Sequence, residues 1–168
     1  MTEKKSETSP ASINAAHFDI ASLDDEIRVD HLCCEILQRF VAALQENGVE
    51  PLAAGRLARG ADYFIRDFLV ADRHTNPLHP EPERVRQFGG NWYIITTLEP
   101  NLTELADILA GVTAFYRFLA DKKLLEVDNA EAIATACTEL AFFKERIEAF
   151  WDIEGDGFAA WDAGCPVT

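Results

Sequence analysis

Arg56, Arg59, Arg66 and Arg73 follow one another at spacings of three, seven and seven, which sets them along one face of a helix. Arg84 and Arg86 come shortly after. A stripe of guanidinium groups can grip phosphates or an acidic partner. Asp62 and Asp67 interleave these arginines, and an intramolecular salt-bridge face is the reading that pattern favours. Two further clusters carry the atoms of a metal site. His74 and His79 bracket Asn76 and Pro77, with Asp72, Glu81 and Glu83 close in sequence, so imidazole and carboxylate could meet on zinc or another divalent ion. A five-residue spacing in a proline-rich loop imposes no ligand geometry, and two solvated histidines are the simpler expectation. Asp152, Glu154, Asp156 and Gly157 spell D-x-E-x-D-G, the opening of an EF-hand calcium loop. Position twelve of that loop is Ala163, so the bidentate glutamate is missing and a solvated acidic turn is expected.

No assembled catalytic motif accompanies these residues. The chain has no phosphate-binding G-x-x-x-x-G-K-[ST], no dinucleotide fingerprint, no G-x-S-x-G and no H-E-x-x-H. His17 and His31 have no recognisable partner, and Glu104, Asp107, Glu139 and Glu148 read as solvated faces without the Glu-x-x-His pairs of a di-iron bundle. No catalytic residue and no cofactor is therefore assigned.

The 168 residues carry 29 carboxylates against 15 basic side chains, a formal charge of −14. That excess opposes general, backbone-driven binding of nucleic acid. It is unevenly spread, because positions 51–86 hold six arginines against five carboxylates while both flanks are strongly acidic. An apolar content of 48% suffices for one core, and 11 Phe, 3 Trp and 3 Tyr require burial, which excludes disorder over most of the chain. No uncharged apolar run reaches the roughly 18 residues of a membrane span. The N-terminus lacks the apolar core of a secretory signal, so a cytoplasmic, soluble protein is expected. Cys33, Cys34, Cys137 and Cys165 form no C-x-x-C pair, and buried, reduced thiols are expected of them.

The elements that must position these groups are helical. Residues 1–25 are polar and read as a flexible lead-in, with residues 26–168 forming a single domain. Apolar residues at three-four spacing predict helices over about 27–47, ended by Gly48, and about 51–72, started by Pro51. Gly55 and Gly60 in the second helix point to close packing. The prolines of 73–83 predict an extended loop, followed by a short helix broken at Gly89 and Gly90. The strand-like NWYIITTL of 91–98 has no partner strand, so a buried helical or irregular insert is expected there. A strongly periodic helix starts at Pro100 or Asn101, and another, capped by Asp128 or Asn129, runs to Phe150. The whole predicts an all-α bundle of four main helices.

The stretches F-V-A-A-L-Q-E-N-G from Phe40, A-D-Y-F-I-R-D-F-L-V from Ala61 and L-T-E-L-A-D-I-L-A-G-V-T-A-F-Y-R-F-L-A-D-K-K-L-L from Leu102 share an order with a known family. This half of the chain resembles the SAM-like core-binding domain on the N-terminal side of tyrosine recombinases and integrases. The resemblance implies two helical hairpins that clamp DNA. The residues that follow are too few for that family's catalytic domain with its nucleophilic tyrosine. The family's basic surface is confined here to Arg56–Arg86. Taken together, the residues favour a non-enzymatic module that binds another protein or forms a homodimer. Binding of an anion or DNA through the six arginines, and a metal-dependent enzyme, are the alternatives.

Overall fold

Helix boundaries follow the local capping chemistry. In the computed structural model, which describes residues 12–167, Ser22 opens α1 (Leu23–Glu46). Its hydroxyl accepts from the Asp25 amide at 3.2 Å, while the Asp25 carboxylate accepts from the Ala21 amide at 3.0 Å. This reciprocal cap starts the helix at Leu23, just before the start expected at Asp24 or Asp25 and ahead of the apolar periodicity that begins near Ile27. Gly48, at φ +85°, ends it. Pro51 occupies the first turn of α2 (Pro51–Asp62), which continues unbroken as a π-helical segment, Tyr63–Asp72. There the Arg73 amide reaches five residues back, to the Phe68 carbonyl at 2.9 Å.

Third comes α3 (Pro82–Gln87), extended by a π turn at Phe88–Trp92 and a last α turn at Tyr93–Thr96. Asn101 caps α4 (Leu102–Asp121), its side chain accepting from the Glu104 amide at 2.8 Å. Two helices, α5 (Val127–Cys137) and α6 (Leu140–Trp151), stand where periodicity predicts one, and the short α7 (Phe158–Ala163) lies in the expected turn-rich tail. Among the described residues the fold is all-α, as expected, but with seven helical rods rather than four main helices, and no strand occurs there. Among the described residues, no helix is long and apolar enough to cross a membrane.

Two departures from the sequence reading have identifiable causes. A helix passes straight through Gly89 and Gly90 because their missing side chains make room for rings. A Cβ on Gly89 would lie 2.8 Å from the Phe143 ring, and one on Gly90 would lie 2.9 Å from that of Phe142. The helix expected to reach Phe150 in one piece is interrupted at Thr138 and Glu139. The Thr138 hydroxyl donates to the Thr135 carbonyl at 2.7 Å, and Glu139 leaves helical geometry (ψ 47°) to take a two-point bond from Arg86.

The closest packing joins α2 to α4. A Cβ on Gly60 would stand 2.7 Å from the Ile108 carbonyl oxygen, and one on Gly111 would stand 2.2 Å from that of Leu57. Backbone therefore meets backbone at this crossing, as expected for Gly60. Gly55 faces open space and has no such role. Phe64 and Phe68 of the first π segment interlock with Phe88 and Trp92 of the second, with ring centroids 5.2–5.5 Å apart across the two segments. Tyr116 is fully buried and donates to the Pro77 carbonyl at 2.9 Å, which ties the proline-rich loop to the core.

Both described ends of the chain are fastened. The expected flexible lead-in lies partly at residues 1–11, outside the described residues. Further on, a 3-10 turn at Ala15–Phe18 buries Phe18, and the Arg28 guanidinium donates to the His17 and Asp19 carbonyls. Asn76 donates to the Ala15 carbonyl at 2.9 Å. The tail after α6 is held by Asn91, whose buried amide donates to Asp162 and to the Cys165 carbonyl, each at 2.8 Å. Arg146 donates to the Gly90 and Trp161 carbonyls and stacks its guanidinium 4.2 Å over the Trp161 ring.

Candidate functional site

The six arginines are not presented as one basic stripe. Arg66 donates to Asp30 at 2.8 and 3.2 Å and to Asp62 at 3.0 Å, and these hydrogen bonds, led by those to Asp30, hold its pKa above the ordinary value. Arg73 pairs with Asp72 and donates to the Val167 carbonyl at 2.7 Å. Arg86 grips Glu139 through two 2.7 Å bonds and adds Glu83 at 3.3 Å. Arg84 donates to the Gln87 side chain at 2.9 Å. Of the two interleaved carboxylates, Asp62 pairs with Arg66 and Asp67 makes no ion pair among the described residues, while Asp30 and Glu139 reach in from other helices. Arg56 and Arg59 make none there either, and both line one cleft.

The metal candidates are not gathered. Exposed His74 lies at φ +51°, with Nδ1 3.3 Å from the Glu26 carboxylate. His79 borders a separate small hollow of about 80 Å³ beside Thr75, Asn76 and Arg84. Asp152, Glu154 and Asp156 are exposed on the turn between α6 and α7. Among the described residues, no group of three or more His, Cys, Asp or Glu side chains is placed to hold a metal ion.

Cysteine chemistry is suppressed by burial. All four thiols are free, and only Cys34 is partly exposed. Loss of water around the buried ones pushes Cys33 up to about 12 and Cys137 up to about 11, far from the thiolate range of reactive cysteines.

Two surface features missed by the sequence reading stand out. The first is an exposed apolar face at the end of α3 and α6. Leu98 is 97% exposed, Trp151 57%, Phe158 47% and Ile95 45%. Trp151 reaches the loop bearing Leu98 by donating to the Pro100 carbonyl at 3.4 Å. Trp151 and Phe158 flank the Phe150–Trp161 ring pair, at 5.8 and 5.7 Å. Exposed Glu99 follows Leu98 in the chain, and exposed Glu145, Glu148, Asp152, Glu154 and Asp156 lie on α6 and on the turn after it. The lysine in this acidic sector, Lys144, lies 3.7 Å from Glu148. The sequence signal was weak: Leu98 sits isolated in a polar loop, and Trp151 adjoins a helical stripe that otherwise faces inward.

The second feature is a cleft of about 580 Å³ between α2 and α4, closed at one end by the Thr96–Thr97 turn. Arg56, Arg59, Asp62, Tyr63 and Asp67 line one wall, and Glu104, Asp107 and Ile108 line the other. The Tyr63 hydroxyl lies 3.3 Å from that of Thr96, and the Glu104 carboxylate accepts from the Tyr93 hydroxyl at 2.9 Å. Partial loss of water, then the nearby Asp62 and Asp30 charges, raise the Asp67 carboxyl above its usual range against the opposing pull of Arg66.

Comparison of the chain with family models, with characterised proteins and with solved structures gives no match.

Proposed function

We propose that this protein is a non-enzymatic binding module whose face at Ile95, Leu98, Trp151 and Phe158 receives a basic segment of another protein carrying apolar anchors. The observation that carries the reading is this grouping of exposed Leu and aromatic side chains inside an acidic rim, in a molecule that buries most of its other rings. Covering a fully exposed leucine contributes roughly 1.5–3 kcal/mol. A half-exposed tryptophan is the residue type most often found at the energetic centre of an interface. The rim supplies the direction. With six exposed carboxylates on α6, on the turn after it and next to Leu98, and with Lys144 drawn to Glu148, a cationic partner is attracted and an acidic one repelled. Two copies meeting through this face would oppose their own rims, so a different protein fits better than a second copy of this chain.

The test is a titration of the protein with an amphipathic Lys/Leu peptide, followed by tryptophan fluorescence at low and at physiological salt. Oligolysine of equal charge serves as the control. Leu98→Ser and Trp151→Ser should each weaken peptide binding about tenfold, and salt should weaken it further. Equal affinity for oligolysine and the amphipathic peptide, or unchanged affinity in Leu98→Ser, would overturn the reading. So would sedimentation showing a wild-type dimer that Leu98→Ser converts to monomer.

A further inference from the structure

We propose that the cleft between α2 and α4 binds a small zwitterion of the amino-carboxylate class, its anionic end held by Arg56 and Arg59 and its ammonium end by Asp67 and Glu104. Helix register sets the two ends of the cleft. Gly60 faces Ile108 and Gly111 faces Leu57, so the two helices run antiparallel and numbers rise along α2 as they fall along α4. Arg56 and Arg59 consequently sit at the end nearer Gly111. Asp67 lies toward the end marked by Glu104 and the Thr96–Thr97 turn. The two arginines thus mark one end of the cleft and Asp67 with Glu104 the other, with Asp107 between them and Asp62, also in the lining, already bonded to Arg66.

Among the described residues none of these four charges is satisfied by an ion pair, in contrast to Arg66, Arg73 and Arg86 nearby, which are all held by carboxylates. Asp62 is already taken by Arg66, so Asp67 has that like charge beside it and no ion-pair partner of its own among the described residues. An ammonium between Asp67 and Glu104 removes that repulsion, and a carboxylate at the other end gives Arg56 and Arg59 the fork-like acceptor a guanidinium prefers. The hydroxyls of Tyr63 and Thr96 add neutral hydrogen-bonding groups near the ammonium end, and Ile108 gives the connecting methylenes an apolar wall. The volume, about 580 Å³, falls among those of small-molecule sites. From Arg59 to Asp67 the helix advances on the order of 12 Å at its axis, a span that side chains reaching inward from both ends shorten to that of a chain of six to eight carbons.

The experiment uses 15N-labelled full-length protein and follows backbone amide shifts on adding 4-aminobutanoate, 6-aminohexanoate or 8-aminooctanoate. Octanoate and octylammonium are the one-ended controls. Saturable shifts at the Gly60, Thr96 and Thr97 amides are expected with the longer amino-carboxylates, with an affinity about tenfold above either control. Arg56→Gln/Arg59→Gln should abolish the advantage over octylammonium, and Asp67→Asn/Glu104→Gln the advantage over octanoate. Both double variants change cleft-lining polar groups, and circular dichroism would confirm that they fold. Absence of shifts at these amides with every amino-carboxylate overturns the proposal, as does equal affinity for octylammonium and 8-aminooctanoate.

Discussion

Replacing Gly111 by alanine tests whether direct backbone contact between α2 and α4 holds this fold together. The added Cβ would stand 2.2 Å from the Leu57 carbonyl oxygen and 3.1 Å from the Ala61 nitrogen. An ordinary carbon–oxygen contact is about 3.3 Å or longer, so the helices must part locally by about 1 Å. A gap of that size forfeits roughly a quarter to a half of each dispersion contact across the seam. Overpacking costs about 1–3 kcal/mol, and because the obstacle is backbone rather than a side-chain tip, the cost belongs near the upper value. Alanine returns about 1 kcal/mol of helix propensity. The net expectation is a loss of about 2 kcal/mol, or a Tm lower by roughly 4–8 °C for a chain of this size. Gly55→Ala is the internal control. It lies in α2, and a Cβ added there would meet nothing within 4 Å, so only the propensity gain of about 1 kcal/mol remains. Urea denaturation followed by circular dichroism should separate the two variants by about 3 kcal/mol in opposite directions. A Gly111→Ala protein as stable as the parent would refute the close-contact argument. Equal destabilisation by Gly55→Ala would refute the assignment of the effect to the crossing.

Asn91→Asp places a carboxylate where an amide now donates to Asp162 and to the Cys165 carbonyl. It should cost about 3 kcal/mol near neutral pH and loosen the tail. Thiol titration with a disulfide reagent should find only Cys34 fast in the parent, with Cys165 joining it in the variant; an unchanged labelling pattern would count against the tether. Asp25 is held down to about 2, first by its hydrogen bond from Arg28 and then by those from the Ala21 amide and the Ser22 hydroxyl. Because this value lies below the ordinary 3.8, the ionised carboxylate stabilises the fold above that pH, and its contribution disappears as pH falls toward 2. Asp25→Asn should therefore be less stable than the parent at neutral pH, with the difference closing in acid. A constant difference across that range would show that the charge is not responsible.

Much of the fold was legible along the chain because it depends on short-range rules. Asn101, Pro51 and Gly48 act where capping chemistry places them, and the inward stripe of Leu105, Leu109, Val112, Tyr116 and Leu119 is buried as its periodicity requires. The errors arose where a distant residue intervened. Gly89 and Gly90 resemble helix breakers until Phe142 and Phe143 occupy the space beside them. Glu139 fits a helix until Arg86 draws it out.

The candidate sites divide along the same line. The amino-acid sequence by itself determined the helical class, the buried faces and the concentration of arginine over 51–86, since composition and periodicity are properties of neighbours in the chain. Only tertiary structure decided which arginines are tied down, because Asp30 and Glu139, which pair with Arg66 and Arg86, and the Val167 carbonyl, which accepts from Arg73, come from other parts of the chain. It also decided that Leu98 and Trp151 share an exposed face and that Arg56 and Asp67 end up in one cleft with Glu104. Exposure and charge pairing depend on what packs alongside, and no spacing within a single helix encodes that.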